Sequence, residues 1–174
     1  MHRIFRAINL PENVKEQLAE YQKKIEKLFQ PPAPIRWTKA DNLHITLEFL
    51  GNLSDDEVMK VCQDTEEFAK SHKPFTISLN EISYAPPDKM PPRMIWATGR
   101  KIDELNLTPH ITLGRIKMWE FRRIEPEERP DVYQKIDLDF EVNSLEVMES
   151  HLKKSGPAYT VLQSCPLMSG GPTS

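Results

Sequence analysis

Apolar positions along the chain alternate between stretches of period two and stretches of helical period. Ile4 to Leu10 is a mostly apolar run that reads as a strand. After Pro11, the residues Val14, Leu18, Tyr21, Ile25 and Leu28 recur at helical spacing, so a helix is expected to about Phe29, stopped by Pro31-Pro32-Ala33-Pro34. Ile35-Arg36-Trp37 is a short extended piece, and Leu43 to Leu50 is a strand ended by Gly51. Ser54-Asp55-Asp56-Glu57 has the form of a capping box. The helix it opens shows Val58, Val61, Cys62, Thr65, Phe68 and Ala69 on one face and should end before Pro74. Strands are then expected at Phe75–Ala85 and Met94–Thr98, joined by a rigid proline-rich loop, and at Pro109–Met118. Trp119–Gln134 is charged, broken by Pro126 and Pro130, and suited to short helical turns. Ile136–Glu149 and Ala158–Cys165 read as the closing strands, followed by a loose tail at 169–174.

The two halves rhyme. His44-Ile45-Thr46-Leu47 recurs as His110-Ile111-Thr112-Leu113. Ile77, Leu79, then Ile82, Tyr84 alternate with one slip of phase, and Phe140, Val142, then Leu145, Val147 make the same slip. Such a slip flips the buried face and marks a bulge or bend in a long strand. Met94–Thr98 then matches Ala158–Leu162 as the closing strand of each half. Helices do not alternate one-for-one with strands, so the expected class is α+β with antiparallel sheets. Related halves packed about a pseudo-two-fold axis would bring the two HITL strands face to face.

Charge and composition narrow the function. Lys and Arg number 23 against 26 Asp and Glu, a formal charge of −3, which argues against a broad cationic surface for duplex nucleic acid. The six glycines assemble neither a P-loop nor a GxGxxG cradle. No apolar run approaches the roughly 18 residues of a membrane span, and no signal peptide is read at the N-terminus. Cys62 and Cys165 are too few for a disulfide scaffold and suit a reducing, cytoplasmic setting.

The chemistry lies in the repeat. On a regular strand His44 and Thr46 share one face, while Ile45, Leu47 and Phe49 point to the core; His110 and Thr112 stand likewise against Ile111 and Leu113. One His-x-Thr is usually a satisfied cross-strand pair. Two copies in one duplication are different, because packing has no need of His and Thr on the non-core face. There is no HxH, HExxH or CxxC, and no nucleophile elbow. Two histidines suit paired acid–base catalysis, one imidazole accepting a proton while the other donates, which phosphodiester cleavage needs. The two Thr hydroxyls and Arg115 could hold phosphoryl oxygens. A regular strand would turn Arg115 away from His110, whereas a bulge at Gly114 would re-aim it.

With Arg36-Trp37, Asn42-Leu43-His44-Ile45-Thr46-Leu47-Glu48-Phe49-Leu50-Gly51, Pro109-His110-Ile111-Thr112-Leu113-Gly114-Arg115 and Ser155-Gly156-Pro157-Ala158-Tyr159, the chain resembles the 2H phosphoesterase superfamily, in its RNA 2′,3′-cyclic phosphodiesterase (2′-5′ RNA ligase) branch. The resemblance implies a bilobal α+β domain over residues 1–168 with a V-shaped groove. It implies hydrolysis of 2′,3′-cyclic phosphate RNA ends to 2′-phosphates without a metal; no cofactor is expected, and a monomer is expected. It makes His44 the proton donor to the leaving 3′ oxygen and His110 the base that activates water, with Thr46, Thr112 and Arg115 on the phosphate. An RNA-end or nucleotide-binding module without catalysis, or a related enzyme acting on another cyclic phosphate or 2′-5′-linked nucleotide, are the alternatives. Trp37, Trp96 and Tyr159 are aromatic candidates for stacking on a base. The family carries a helix before its second motif, where this chain has only Gly99–Thr108, so a gap or poorly ordered connection is expected there. From the motif inventory, turnover is expected to survive a chelator; activity lost to chelation and restored by zinc or magnesium would contradict this.

Overall fold

A computed structural model describes residues 1–168; the tail read at 169–174 lies outside the described residues. The fold is α+β, with a four-stranded and a five-stranded sheet built from antiparallel pairs. The chain divides into two compact units, and neither is continuous in sequence. The first comprises Met1–Asn9, His44–Ile77 and the residues from Phe140 on; the second comprises Leu10–Leu43 and Ser78–Asp139. Among the described residues no helix is long and apolar enough to cross a membrane.

The sheet of the first unit contains β1 (His2–Asn9), β3 (His44–Leu53), β8 (Ser144–Lys153) and β9 (Gly156–Pro166), in the order β3-β1-β8-β9. Helix α2 (Asp55–Lys70) packs on β8, β9 and β1. Its capping box forms as expected: the Ser54 hydroxyl accepts from the Glu57 N–H, and the Glu57 carboxylate accepts from the Ser54 N–H at 2.8 Å. Ile4 and Ile8 are fully buried, and Arg6, on the same side of β1, donates from Nε to the Thr65 hydroxyl of α2 at 2.8 Å. The other side of β1 carries Phe5 and Ala7, which form a buried cluster with Met148, and Tyr159 packs against it.

The second unit has β2 (Ile35–Trp37), β4 (Phe75–Ala85), β5 (Met94–Gly99), β6 (His110–Ile116) and β7 (Gln134–Val142), ordered β2-β6-β5-β4-β7. Helix α1 (Glu12–Glu26) lies against β6 and buries Val14, Leu18, Gln22 and Ile25, a stripe of helical period. The expected short turns are a one-turn helix α3 (Met118–Phe121) and a 3-10 turn at Pro126–Glu128. Phe121 is fully buried edge-on to Tyr84, whose hydroxyl donates to the Pro130 carbonyl at 2.9 Å. Burial pushes the Tyr84 phenol up to about 12.

Four expectations need correction. Gly51, at φ +81°, does not end β3; the strand runs through it to Leu53. The span read as one strand at 136–149 is broken at Asn143, which separates β7 from β8, and these belong to different sheets. The phase slip is therefore a corner in the second half, whereas in β4 it is a bulge between Leu79 and Glu81 opposite β5. Residues 151–157, which separate the two closing strands in the sequence pattern, are the end of a long β8–β9 hairpin: Lys153 pairs with Gly156 (φ +111°) across a turn at Lys154–Ser155. Finally, the connection after Gly99 is continuous and ordered. Ile102 and Leu107 exchange backbone hydrogen bonds of 2.7 and 3.1 Å around a 3-10 turn at Asp103–Leu105, with Asn106 in the left-handed region. Because β5 and β6 are antiparallel neighbours, their ends need only a hairpin-like closure and no bridging span.

The topology also re-pairs the halves. Each HITL strand lies beside one antiparallel partner of corresponding place, β1 for β3 and β5 for β6. Thus β5 is the counterpart of β1, and not of β9. Helix α1 follows β1; its counterpart after β5 is the tight connection just described.

The first strand is anchored by charge. His2 Nδ1 lies 2.8 Å from the Glu149 carboxylate and Nε2 lies 2.7 Å from that of Asp55. Glu149 chiefly, then Asp55, raises the His2 pKa above its ordinary 6.5. The stabilisation is therefore complete below the unfolded value and is lost as pH rises through the raised one. Denaturation midpoints should differ between the native protein and His2→Ala at about pH 5.5, and converge by about pH 9. An unchanged difference across that range would contradict the charged anchor.

Candidate active site

His44 opens β3 and His110 opens β6, each half-buried. In the first unit the His44 imidazole lies 5.2 Å from the Phe5 ring and meets Tyr159 edge-on at 5.1 Å. Its Nε2 is 3.0 Å from the Thr46 hydroxyl, so the His-x-Thr pair is a hydrogen-bonded unit on one face of the strand. In the second unit His110 lies 4.5 Å from the Trp96 ring, and Nδ1 is 3.3 Å from the Thr108 carbonyl. Thr112 stands opposite Trp96 in register, on that same face. The strand beside each histidine thus supplies an aromatic ring, Phe5 from β1 and Trp96 from β5.

Both HITL strands slip register at the leucine of the motif. In β3, Thr46 pairs with Ala7 and Glu48 with Arg6, so Leu47 is extra. In β6, Thr112 pairs with Trp96 and Gly114 with Ile95, so Leu113 is extra. One added residue reverses the alternation beyond it. Arg115 consequently pairs with Met94 and shares the face of Trp96, Thr112 and His110, with Nη1 3.8 Å from the Met94 sulfur. The re-aiming conceived at Gly114 occurs one residue earlier. The same reversal corrects the placement of Phe49, which is 54% exposed and stacked with Phe5 on the His44 face, instead of entering the core.

The bulge in β6 is held by groups that sequence reasoning passed over. The Leu113 carbonyl accepts from the Gln22 side-chain amide and from the Thr38 N–H, both at 2.9 Å, and the Thr112 carbonyl accepts from the Thr38 hydroxyl at 2.9 Å. Gln22 is a buried polar residue on the apolar stripe of α1. A glutamine among periodic apolar positions was the available signal. Gly114 serves close approach: a Cβ there would sit 2.7 Å from Ile35 Cγ2 and 2.9 Å from Trp37 Cε3.

Of the aromatic candidates, Trp96 and Tyr159 flank the histidines. Trp37 lies over Gly114 and donates to the Glu26 carboxylate at 2.6 Å, which is packing against α1. Burial raises both cysteine thiols, Cys62 and Cys165, away from the reactive thiolate form. Among the described residues no group of three or more His, Cys, Asp or Glu gathers in a way that could hold a metal ion.

An α+β chain that presents a His-x-Thr pair on each of two sheets is built as a two-histidine phosphoesterase. The chain belongs to the family of LigT-like phosphoesterases, whose family model matches residues 8–96 and so includes the first motif. A protein of Thermotoga maritima named RNA 2′,3′-cyclic phosphodiesterase is 27% identical over 195 aligned positions, covering 97% of each chain. A protein of the same name from Methanocaldococcus jannaschii is 28% identical, covering 92% of this chain and 98% of its own. The Thermotoga alignment is longer than this chain of 174 residues, so that relative carries segments absent here. A crystal structure of a Thermus thermophilus protein superposes with a TM-score of 0.79 at 26% identity, covering 97% of this chain and 99% of its own. The Escherichia coli LigT–phosphate complex shares the fold, with a TM-score of 0.71 at 24% identity over 95% of this chain and 97% of its own.

Replacing Gln22 by Leu should remove a buried donor from the bulge and cost about 1–3 kcal/mol of stability, read by urea denaturation. A variant as stable as the native protein would show that Thr38 alone secures the bulge.

Proposed function

We propose that the chain is an RNA 2′,3′-cyclic phosphodiesterase that opens the cyclic phosphate to a 2′-phosphate by paired-histidine acid–base catalysis. The observation that carries this reading is the His-x-Thr pair repeated on equivalent strands, each histidine set against a ring from the neighbouring strand. His110 takes a proton from water as the water oxygen bonds to phosphorus. His44 gives a proton to the 3′ oxygen as the P–O3′ bond breaks, leaving a 3′-hydroxyl and a 2′-phosphate. Thr46, Thr112 and Arg115 hold the phosphoryl oxygens, whose charge grows in the transition state. A 5′-hydroxyl entering in place of water would leave a 2′-5′ linkage, which is RNA ligation with the same two proton transfers. The names of the relatives support the substrate class. The assignment of donor and acceptor rests on the family resemblance, since the repeat treats both histidines alike. The working unit of this reading is a single bilobal domain over residues 1–168, a cytoplasmic monomer acting at RNA ends without a cofactor.

The test is incubation with an RNA ending in a 2′,3′-cyclic phosphate, followed by identification of the product isomer. A 2′-phosphate is expected, with a rate bell-shaped in pH. His44→Ala and His110→Ala should each lower turnover roughly 10²–10⁴-fold, and the double variant should be little worse than either, because one concerted transfer is lost in all three. A 3′-phosphate product, or near-native turnover by either single variant, would overturn the assignment.

A further inference from the structure

Arg36 is part of the motif block around the first histidine, and the catalytic reading leaves it unused. It sits on β2, the edge strand of the second sheet, directly opposite Arg115 in register. Residues opposed across an antiparallel pair share a face, so Arg36 lies on the face of Arg115, Thr112 and His110, while its neighbours Ile35 and Trp37 turn to the side where Gly114 lies. Both guanidiniums are exposed, and among the described residues neither has a carboxylate within ion-pair distance. Like charges placed directly opposite are destabilising, and this pair has no intramolecular compensation. An anion bound across it would supply that compensation.

We propose that Arg36 binds the phosphodiester on the 5′ side of the terminal nucleotide, making the substrate an RNA chain and not a lone nucleotide. The inference rests on the cyclic phosphodiesterase reading, in which Arg115 holds the reacting phosphate. Arg36 is one strand farther from His110, a step of about 4.8 Å, and two long side chains splayed from opposed positions reach successive phosphates of a single strand. Being at the sheet edge, β2 has no further strand outside it, so the RNA can continue outward past Arg36. A guanidinium suits the task because its planar fork matches two oxygens of one phosphate.

The test compares two product-type ligands, a triribonucleotide ending in a 2′-phosphate and adenosine 2′-phosphate, which has no 5′ phosphate. Dissociation constants are measured for the native protein, Arg36→Met and Arg36→Lys. The native protein should bind the triribonucleotide tighter by roughly ten- to a hundred-fold, the range of a charge-assisted hydrogen bond. Arg36→Met should lose that advantage and leave adenosine 2′-phosphate binding unchanged, which also shows that the variant is folded. Its log–log salt slope on the triribonucleotide should be shallower by about 0.7, one phosphate contact on a single strand. Arg36→Lys should keep the slope. Equal affinity of the native protein for both ligands, or an Arg36→Met loss that is equal for both or absent, overturns the proposal. Turnover of cyclic-ended RNA by the same preparations tests the catalytic reading separately: if the native protein fails there, that reading falls while the affinity ratio still decides Arg36.

Discussion

The extra residue in each HITL strand is the constraint on which the site depends. A strand obeying strict alternation could show His and Thr on one face but would send the side chain five positions after the histidine to the other. The slips at Leu47 and Leu113 bring Phe49 and Arg115 back to the histidine face. A bulge disrupts ladder hydrogen bonds, and buried backbone groups cannot go unpaired without cost. In β6 the disrupted backbone is secured by Gln22 and Thr38. A polar residue on the apolar face of α1 is thus explained by the geometry of a strand, and Arg115 is aimed by it.

Much of this was legible in the sequence, because it depends on local pattern. The Ser54–Glu57 capping box, the apolar stripe of α1 and the period of β4 to β6 all formed where those patterns lay. The shared face of each His-x-Thr pair was legible as well, since it follows from strand alternation before the slip. What escaped was set by pairing partners distant in sequence. Periodicity cannot reveal whether a phase slip becomes a bulge, as at Leu79–Glu81, or a corner, as at Asn143. Phe49 looked like core because alternation was carried through a bulge that depends on β1. Phe5 and Trp96 passed unremarked or undecided for the same reason: strand order, and not spacing, sets each against its histidine.

The two units solve one problem with unequal parts. Between β1 and β3 the chain inserts α1 and β2; between β5 and β6 it inserts only the closure around Ile102 and Leu107. Strand β6 is covered by α1, and Leu113 is fully buried, while the equivalent Leu47 on β3 is half-buried. The coverage of the two motif strands differs in this way, while each strand keeps its histidine and threonine on one face.

Strand β1 precedes the other described strands in sequence, yet its place is between β3 and β8, with Ile4 opposite Glu149. The sheet that carries His44 cannot close until β8 and β9 have been synthesised. By contrast β4, β5 and β6 pair with near neighbours in sequence and can assemble early. Vectorial synthesis thus orders the assembly: β1 can pair with β3 early, but its other edge stays open until β8 has emerged. Non-local pairing of this kind is slow to form and exposed to aggregation until it does.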